Sequence, residues 1–407
     1  MNVVKSSCVI RFIIYGVLTL SAVLIQSCQR TTGKAETGGE ISGRSVIMYA
    51  KRLSLLEKDI YSQIKVINPW QGAKGEEQNW YLVRDSADIP PFINPGEVIR
   101  VPVKSIICTS TTHLAMISAI GESGSVKGFS GTGFLYSKEY NDRISASTLN
   151  EIGYDDNLNK EMIIKLKPDL VMMYGVGGES ASFAGKLREM GLKVMFNADY
   201  LETDPLGKAE WIKLFGALYS KEKTADSIFK GIEHDYKDTE AFIRKNAKEH
   251  PRVLLGLPFK DTWYISPGNS YISELVNDAG GYYLWCDTES DESIPMGLEN
   301  VYIKALTADY WLNPGTAETL NQISSLDNRF AGLPCYRNGN VFNNIKRTNK
   351  QGGNDYWESG TVRPHILLLD LASILHPELF PGRELYFYRK LRSEERRVGK
   401  ECRSRWS

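Results

Sequence analysis

The chain has 407 residues, and its 49 Lys plus Arg balance 49 Asp plus Glu, so the formal net charge is zero. At 42% hydrophobic and 24% charged it is too apolar to be wholly disordered, and its mildly negative mean hydropathy does not suit a polytopic membrane protein. The length allows two or three domains, or one large bilobal one, and the neutral total excludes a surface coated in positive charge for nucleic acid.

Both ends differ from the body. Lys5 and Arg11 precede an apolar run from Phe12 to Ile25, which has the length of a signal peptide and is short for a spanning helix. The run ends Ile25-Gln26-Ser27-Cys28 and resembles a bacterial lipobox, in which cleavage before the cysteine exposes it for lipidation. Acyl chains on Cys28 would hold the protein on a membrane without a spanning segment. Residues 29–43 are polar and rich in Gly and Thr, as in a flexible tether. At the other end, residues 392–407 break from the preceding pattern and read as translated sequencing-adapter sequence. Without 1–27 and 392–407, 41 basic and 46 acidic residues remain, a net charge of −5. Cys108, Cys286 and Cys335 remain as well. Their odd number and the lack of a CxxC give neither a disulfide framework nor a zinc signature.

Along the body, Tyr49–Ile67 mixes helix and strand signals, and Trp80–Val83 reads as a strand. From residue 101, strands and helices alternate. Strands are expected at Val103–Thr109, Val126–Phe129, Leu170–Tyr174 and Val194–Asn197. Helices are expected at Leu114–Ile120, Glu161–Leu166 and Ser182–Met190. Such alternation predicts parallel sheet covered by helices. Between Thr224 and Glu249, Ile228, Ile232, Tyr236 and Ile243 recur at helical spacing without an internal Pro. They predict one helix of roughly 25 residues, about 37 Å long, stopped before Pro251. Alternation then resumes with strands at Val253–Leu257, Trp263–Ser266, Tyr310–Leu312 and Val341–Asn343, and helices at Tyr271–Ala279, Glu299–Leu306 and Pro364–Leu375.

The halves echo one another. A helix opening on Glu161 leads to Asp169 and an apolar strand, and a helix opening on Glu299 leads to Asp309 and another. This predicts two α/β lobes with parallel sheets, joined by the long helix, with a ligand cleft where the carboxyl ends of their strands face each other.

The lipobox, the two lobes, the linking helix, Leu166-Lys-Pro-Asp-Leu-Val171, and Ser266-Pro-Gly-Asn-Ser270 followed by Glu274-Leu-Val-Asn-Asp-Ala-Gly-Gly281 together resemble the substrate-binding lipoproteins of iron-complex and cobalamin ABC importers. The resemblance covers about 100–391. It implies a signal peptide (1–27), tether (28–44), N-terminal extension packed on the first lobe (45–100), first lobe (101–220), linking helix (221–250) and second lobe (251–391). It also implies a periplasmic, lipid-anchored binding protein rather than an enzyme. The partners would be an ABC permease with its ATPase, and the cargo a ferric siderophore or haem in preference to cobalamin, with no resident cofactor. In this family one exposed glutamate per lobe docks into arginine pockets of the permease, a role that falls on Glu161 and Glu299.

Loops after strands supply the cleft candidates: Thr111, Thr112, His113, Tyr174, Trp263, Tyr356, Trp357 and Arg363. Aromatic walls suit large planar ligands, and Arg suits anionic chelates. The other histidines, His234, His250, His365 and His376, form no ligand cluster, which argues against a bare metal ion as cargo. Signals for catalysis are weak. Gly175-Val-Gly177-Gly178 lacks the third glycine of a dinucleotide loop, Gly178 to Gly185-Lys186 has the wrong spacing for a P-loop, Gly128-Phe-Ser130-Gly-Thr132 fails the nucleophile-elbow pattern, and no HExxH occurs. The rival from another class is an enzyme on the related nitrogenase-type bilobal fold, for which only the scattered cysteines speak.

Overall fold

The structure, a computed structural model, describes residues 43–84, 87–154 and 157–393. The signal segment, Cys28 and all but two residues of the 392–407 tail lie outside that range.

The ambiguous stretch after residue 44 folds as a sheet of five strands: β1 (Arg44–Ser45), β2 (Leu53–Glu57), β3 (Ser62–Ile67), β4 (Glu77–Arg84) and β5 (Val98–Val101). The strands lie in sequence order, antiparallel until β5 joins β4 in parallel. Alternation decides the outcome, because Leu53, Leu55, Ile64 and Val66 point to one buried face.

Two buried glutamates fix the approach to this sheet. Glu210 accepts the backbone N–H groups of Met48, Tyr49 and Ala50 at 2.7–3.0 Å, and Glu202 accepts those of Lys51 and Arg52 at 2.9 Å. Glu210 is fully buried and ion-paired to Lys213 at 2.7 Å. Lys213 in turn donates to Val46 O.

The second sheet comprises β6 (Ile106–Cys108), β7 (Val126–Phe129), β8 (Asn150–Glu151), β9 (Leu170–Met173) and β10 (Val194–Phe196). Its order is β10-β9-β6-β7-β8, with every pair parallel. The third contains β11 (Arg252–Leu255), β13 (Tyr282–Tyr283), β15 (Tyr310–Leu312), β16 (Val341–Asn343) and β17 (Arg389–Lys390) in the order β13-β11-β15-β16-β17. Only β17 runs antiparallel. The expected strand at Trp263–Ser266 exists as β12 (Thr262–Ile265), but it pairs with β14 (Ile294–Gly297) in a separate antiparallel ribbon.

The sequence echo has a structural basis. Asp169, just before β9, accepts the N–H groups of Lys104 and Ser105 at the entry to β6, and its own N–H donates to Ser105 O. Asp309, just before β15, accepts the N–H of Arg252 at the start of β11 and donates its own N–H to Arg252 O. Each aspartate pins two neighbouring parallel strands at their amino ends.

The predicted long helix is Glu222–Asn246, 25 residues and about 37 Å long. It ends at Asn246, five residues before Pro251. Its buried stripe is Ala225, Phe229, Ile232, Tyr236 and Ile243. The stripe packs on the helices Ile212–Leu218 and Pro364–Leu375. At Gly216 a methyl would stand 2.5 Å from the Ala225 Cβ, so glycine there allows close helix approach. Past its middle the Tyr236 hydroxyl donates to Asp278 at 2.6 Å, and one apolar core continues through both lobes and the extension.

Removing a buried carboxylate that holds three N–H groups and a lysine leaves all of them uncompensated. Glu210→Ala should therefore cost about 3–5 kcal/mol of unfolding free energy and expose residues 44–52 to protease. Denaturant unfolding with limited proteolysis checks this, and a loss under about 1 kcal/mol would refute it.

Candidate functional site

Parallel strands deliver their following loops to one edge of the sheet, where ligands of open α/β sheets bind. On the first lobe Thr109, Ser130 and Tyr174 follow β6, β7 and β9. They line a cavity of about 750 Å³ with Asn157, Lys160 and one face of the helix Gly177–Glu189, including Phe183 and Lys186. The Thr109 hydroxyl accepts the Tyr174 N–H at 3.0 Å, which ties two of these loops together.

The loops that follow β7 and β8 carry a pair of exposed aromatics. Phe134 and Tyr154 are 52% and 51% exposed, with ring centroids 5.1 Å apart. Gly131 makes room for the pair: its φ is +74°, and a Cβ there would lie 2.6 Å from the Tyr154 ring. Glu151 fixes the loop by accepting the N–H groups of Gly131 and Thr132 and the Thr132 hydroxyl, at 3.1, 2.7 and 2.5 Å. The second lobe contributes Trp357, 60% exposed, and Phe259, 66% exposed, in the loop after β11. Exposed large aromatics are costly to hydrate and mark a candidate binding surface.

Beneath the cleft the lobes meet on a buried carboxyl group. Asp199 accepts the Thr112 hydroxyl at 3.2 Å and the Thr361 hydroxyl at 3.4 Å. Burial pushes Asp199 up to about 6.

The residues picked from the sequence divide. Tyr174 and Trp357 sit at the cleft, and half-buried Thr111 lies at its base, its hydroxyl donating to Trp357 O at 3.0 Å. Thr112 is buried and turned to Asp199. His113 does not reach the cleft. It lies on the inner face of the helix Thr111–Ala119, fully buried beside Phe215, and burial pushes its imidazole down to about 3. Trp263 is also a core residue, with its indole N–H donating to Leu255 O and its ring against Trp311 and Phe330. Tyr356 is buried edge-on against Phe387 and Tyr388. Arg363 is exposed but lines a different cavity of about 880 Å³, where it donates to the Tyr386 hydroxyl at 2.6 Å. The sequence reading missed Phe134, Tyr154 and Phe259. Each follows a loop Gly or Pro directly (Gly133, Gly153, Pro258), and an apolar ring just behind such a residue was the available signal.

Glu161 is exposed in the first turn of the helix Lys160–Leu166. Glu299 is exposed in the first turn of Leu298–Ala305 and pairs with Arg329 at 3.2 Å. Its own backbone N–H and then Arg329 hold its carboxyl below the usual range. The three cysteines are unpaired, with Cys108 and Cys335 buried and Cys286 exposed. Among the described residues no group of three His, Cys, Asp or Glu could hold a metal ion, and no helix is long and apolar enough to cross a membrane.

A family model described as periplasmic binding protein matches residues 106–345, more than half of the chain, and the chain belongs to that family. It is 28% identical over 372 residues, 86% of each chain, to an uncharacterized lipoprotein, MJ0878, of Methanocaldococcus jannaschii. It is 25% identical over 186 residues to an uncharacterized ABC transporter substrate-binding lipoprotein, YvrC, of Bacillus subtilis, a match covering 45% of this chain and 56% of that one. Among solved structures, a periplasmic heme binding protein from Pseudomonas aeruginosa superposes with a TM-score of 0.52 at 16% identity, covering 68% of this chain and 93% of that one. The fold is thus the two-lobed α/β arrangement that the sequence motifs implied.

Gly131→Ala places a methyl into the Tyr154 ring at a left-handed φ and should splay the aromatic pair. The expected result is a protein that still folds, with a Tm lower by a few degrees, and binds cleft ligand at least about tenfold more weakly. Calorimetric titration against wild type checks this; unchanged affinity would remove the pair from the site.

Proposed function

We propose that this protein captures an iron complex, a ferric siderophore or haem, between its lobes and delivers it to an ABC permease while anchored to the membrane through lipid on Cys28. The observation that carries this reading is the set of exposed aromatics on both lobes: Phe134 and Tyr154 on one, Trp357 and Phe259 on the other. Rings presented from two sides suit a flat conjugated ligand. Lys160 and Lys186 at the neighbouring cavity suit its carboxylates or other anionic groups. The chelate is cargo, so its metal arrives already ligated and needs no protein ligand set. The names of the Bacillus relative and the Pseudomonas structure, a transporter lipoprotein and a heme binding protein, support the same reading.

Glu161 and Glu299 are the proposed docking points on the permease. Each is a carboxylate on the first turn of a helix, one per lobe, and two such charges pairing with permease arginines would register the separation of the lobes. At Glu299 the permease would replace Arg329 as the partner.

Thermal-shift and titration measurements with haemin, cobalamin and ferric siderophores test the cargo. An iron chelate should raise the Tm and bind with micromolar affinity or better, and the Phe134→Ala/Trp357→Ala double variant should bind at least about tenfold more weakly. Stabilisation by cobalamin alone would move the cargo to that class, and no response to any of them would overturn the reading. For docking, Glu161→Lys with Glu299→Lys should abolish ligand-stimulated ATPase activity of the reconstituted transporter and leave chelate affinity within about twofold. Undiminished stimulation would remove the docking role.

A further inference from the structure

The segment after β16 leaves the second lobe and crosses to the first. The Asn349 side-chain amide donates to Leu135 O at 2.6 Å. Gly353 lies so close that a Cβ there would meet Leu135 O at 2.5 Å. At the centre of this crossing is Glu358, only 4% exposed. Its carboxylate accepts the backbone N–H of Tyr136 at 2.8 Å and that of Ser137 at 3.1 Å. Two successive N–H groups of one lobe thus end on a single carboxylate of the other.

We propose that Glu358 is a positioning residue of the cleft, a latch that holds the loop carrying Phe134 against the segment carrying Trp357 and so sets the spacing of the two aromatic walls. The cleft consequence rests on the binding function proposed above; the latch itself does not.

The surroundings leave Glu358 without a basic partner. Arg347 is committed to Asp355 at 2.5 Å and lies over the rings of Tyr136 and Tyr386. Arg363 donates to the Tyr386 hydroxyl, and Lys138, next to Ser137, pairs with Asp142 at 2.6 Å. Glu139 is exposed. His365, at the start of the last helix, has its pKa lowered by burial. The long helix presents Ile228 and Ile232 to this space, and its Asp235 acts on His365 rather than on Glu358. Burial therefore pushes Glu358 up to about 7, with Asp355 adding like charge, against the pull of the two N–H groups.

The sign follows from linkage. A glutamate in water titrates near about 4.3, whereas the latched one keeps its proton to about 7. Protonation therefore favours the latched arrangement, and the latch weakens as pH rises through 7. A neutral carboxyl still accepts through its carbonyl oxygen, and Gln can do the same.

Hydrogen exchange at the amides of Tyr136 and Ser137, in the full ligand-free protein and referred to intrinsic rates, tests the latch between pH 5.5 and 8.5. Wild type should lose at least about tenfold of its protection across that range, Glu358→Gln should hold the low-pH protection throughout, and Glu358→Ala should be unprotected at every pH. Spin labels at Gly133→Cys and Asp261→Cys, in a background with Cys28, Cys286 and Cys402 changed to Ser, read the wall spacing. The distance should lengthen with pH in wild type and stay fixed in Glu358→Gln. Equal pH profiles in wild type and Glu358→Gln, or full protection in Glu358→Ala, would overturn the proposal. If Glu358→Ala fails to fold, the Gln comparison still decides.

Discussion

The interaction on which this architecture depends is a buried carboxylate accepting backbone N–H groups from a distant part of the chain. Glu210 and Glu202 hold five consecutive amides of the N-terminal extension. Asp370, inside the last helix, takes those of Tyr386, Phe387 and Tyr388 and so brings the C-terminal segment to the third sheet. A desolvated carboxylate is expensive unless several donors converge on it, and charge-assisted bonds to N–H groups are among the stronger ones available. Main-chain donors are already fixed in place, so these contacts immobilise fewer side-chain rotamers than pairs with lysine would. The acidic excess of the body, invisible in the neutral total, is thus partly internal.

A related device at the surface, an exposed aspartate accepting backbone N–H groups, recurs in each half and gives the lobes their likeness. Asp169 and Asp309 grip the entries of β6 and β11, so each lobe presents its strand ends, and the loops that follow, from a fixed base. One unbroken helix then ties both bases together, packed against a glycine near its start and hydrogen-bonded through Tyr236 past its middle. A rigid back with contacts beneath the cleft, at Asp199 and Glu358, favours small adjustments of wall spacing over wide hinge closure. This suits the proposed delivery of cargo to a permease that holds both lobes.

Much of this was legible in the sequence where periodicity is strong. The long helix, the paired helix-strand units and the aspartates of both echoes stand close to where the pattern puts them. Direction was not legible. His113 and Trp263 follow or form predicted elements as expected, but a position after a strand does not say which face a side chain takes, and both turned into the core. β12 reads like any apolar strand, and nothing local reveals that its partner, β14, lies about thirty residues later. The crossing segment around Asn349–Glu358 is rich in Gly, Asn and Asp without periodicity, so it reads as plain loop. Its role exists only through contacts with residues more than two hundred positions away. The exposed rings of Phe134 and Tyr154 depend on a left-handed glycine, a conformational fact that composition does not carry.

The account stands or falls on where a metal chelate sits. Anomalous scattering at the iron edge from crystals grown with haemin or a ferric siderophore would place the metal directly. A single iron site between the Phe134–Tyr154 pair and Trp357 is the expected result. Iron ordered in the cavity beside Arg363, or a cleft that stays empty at saturating chelate, would contradict it.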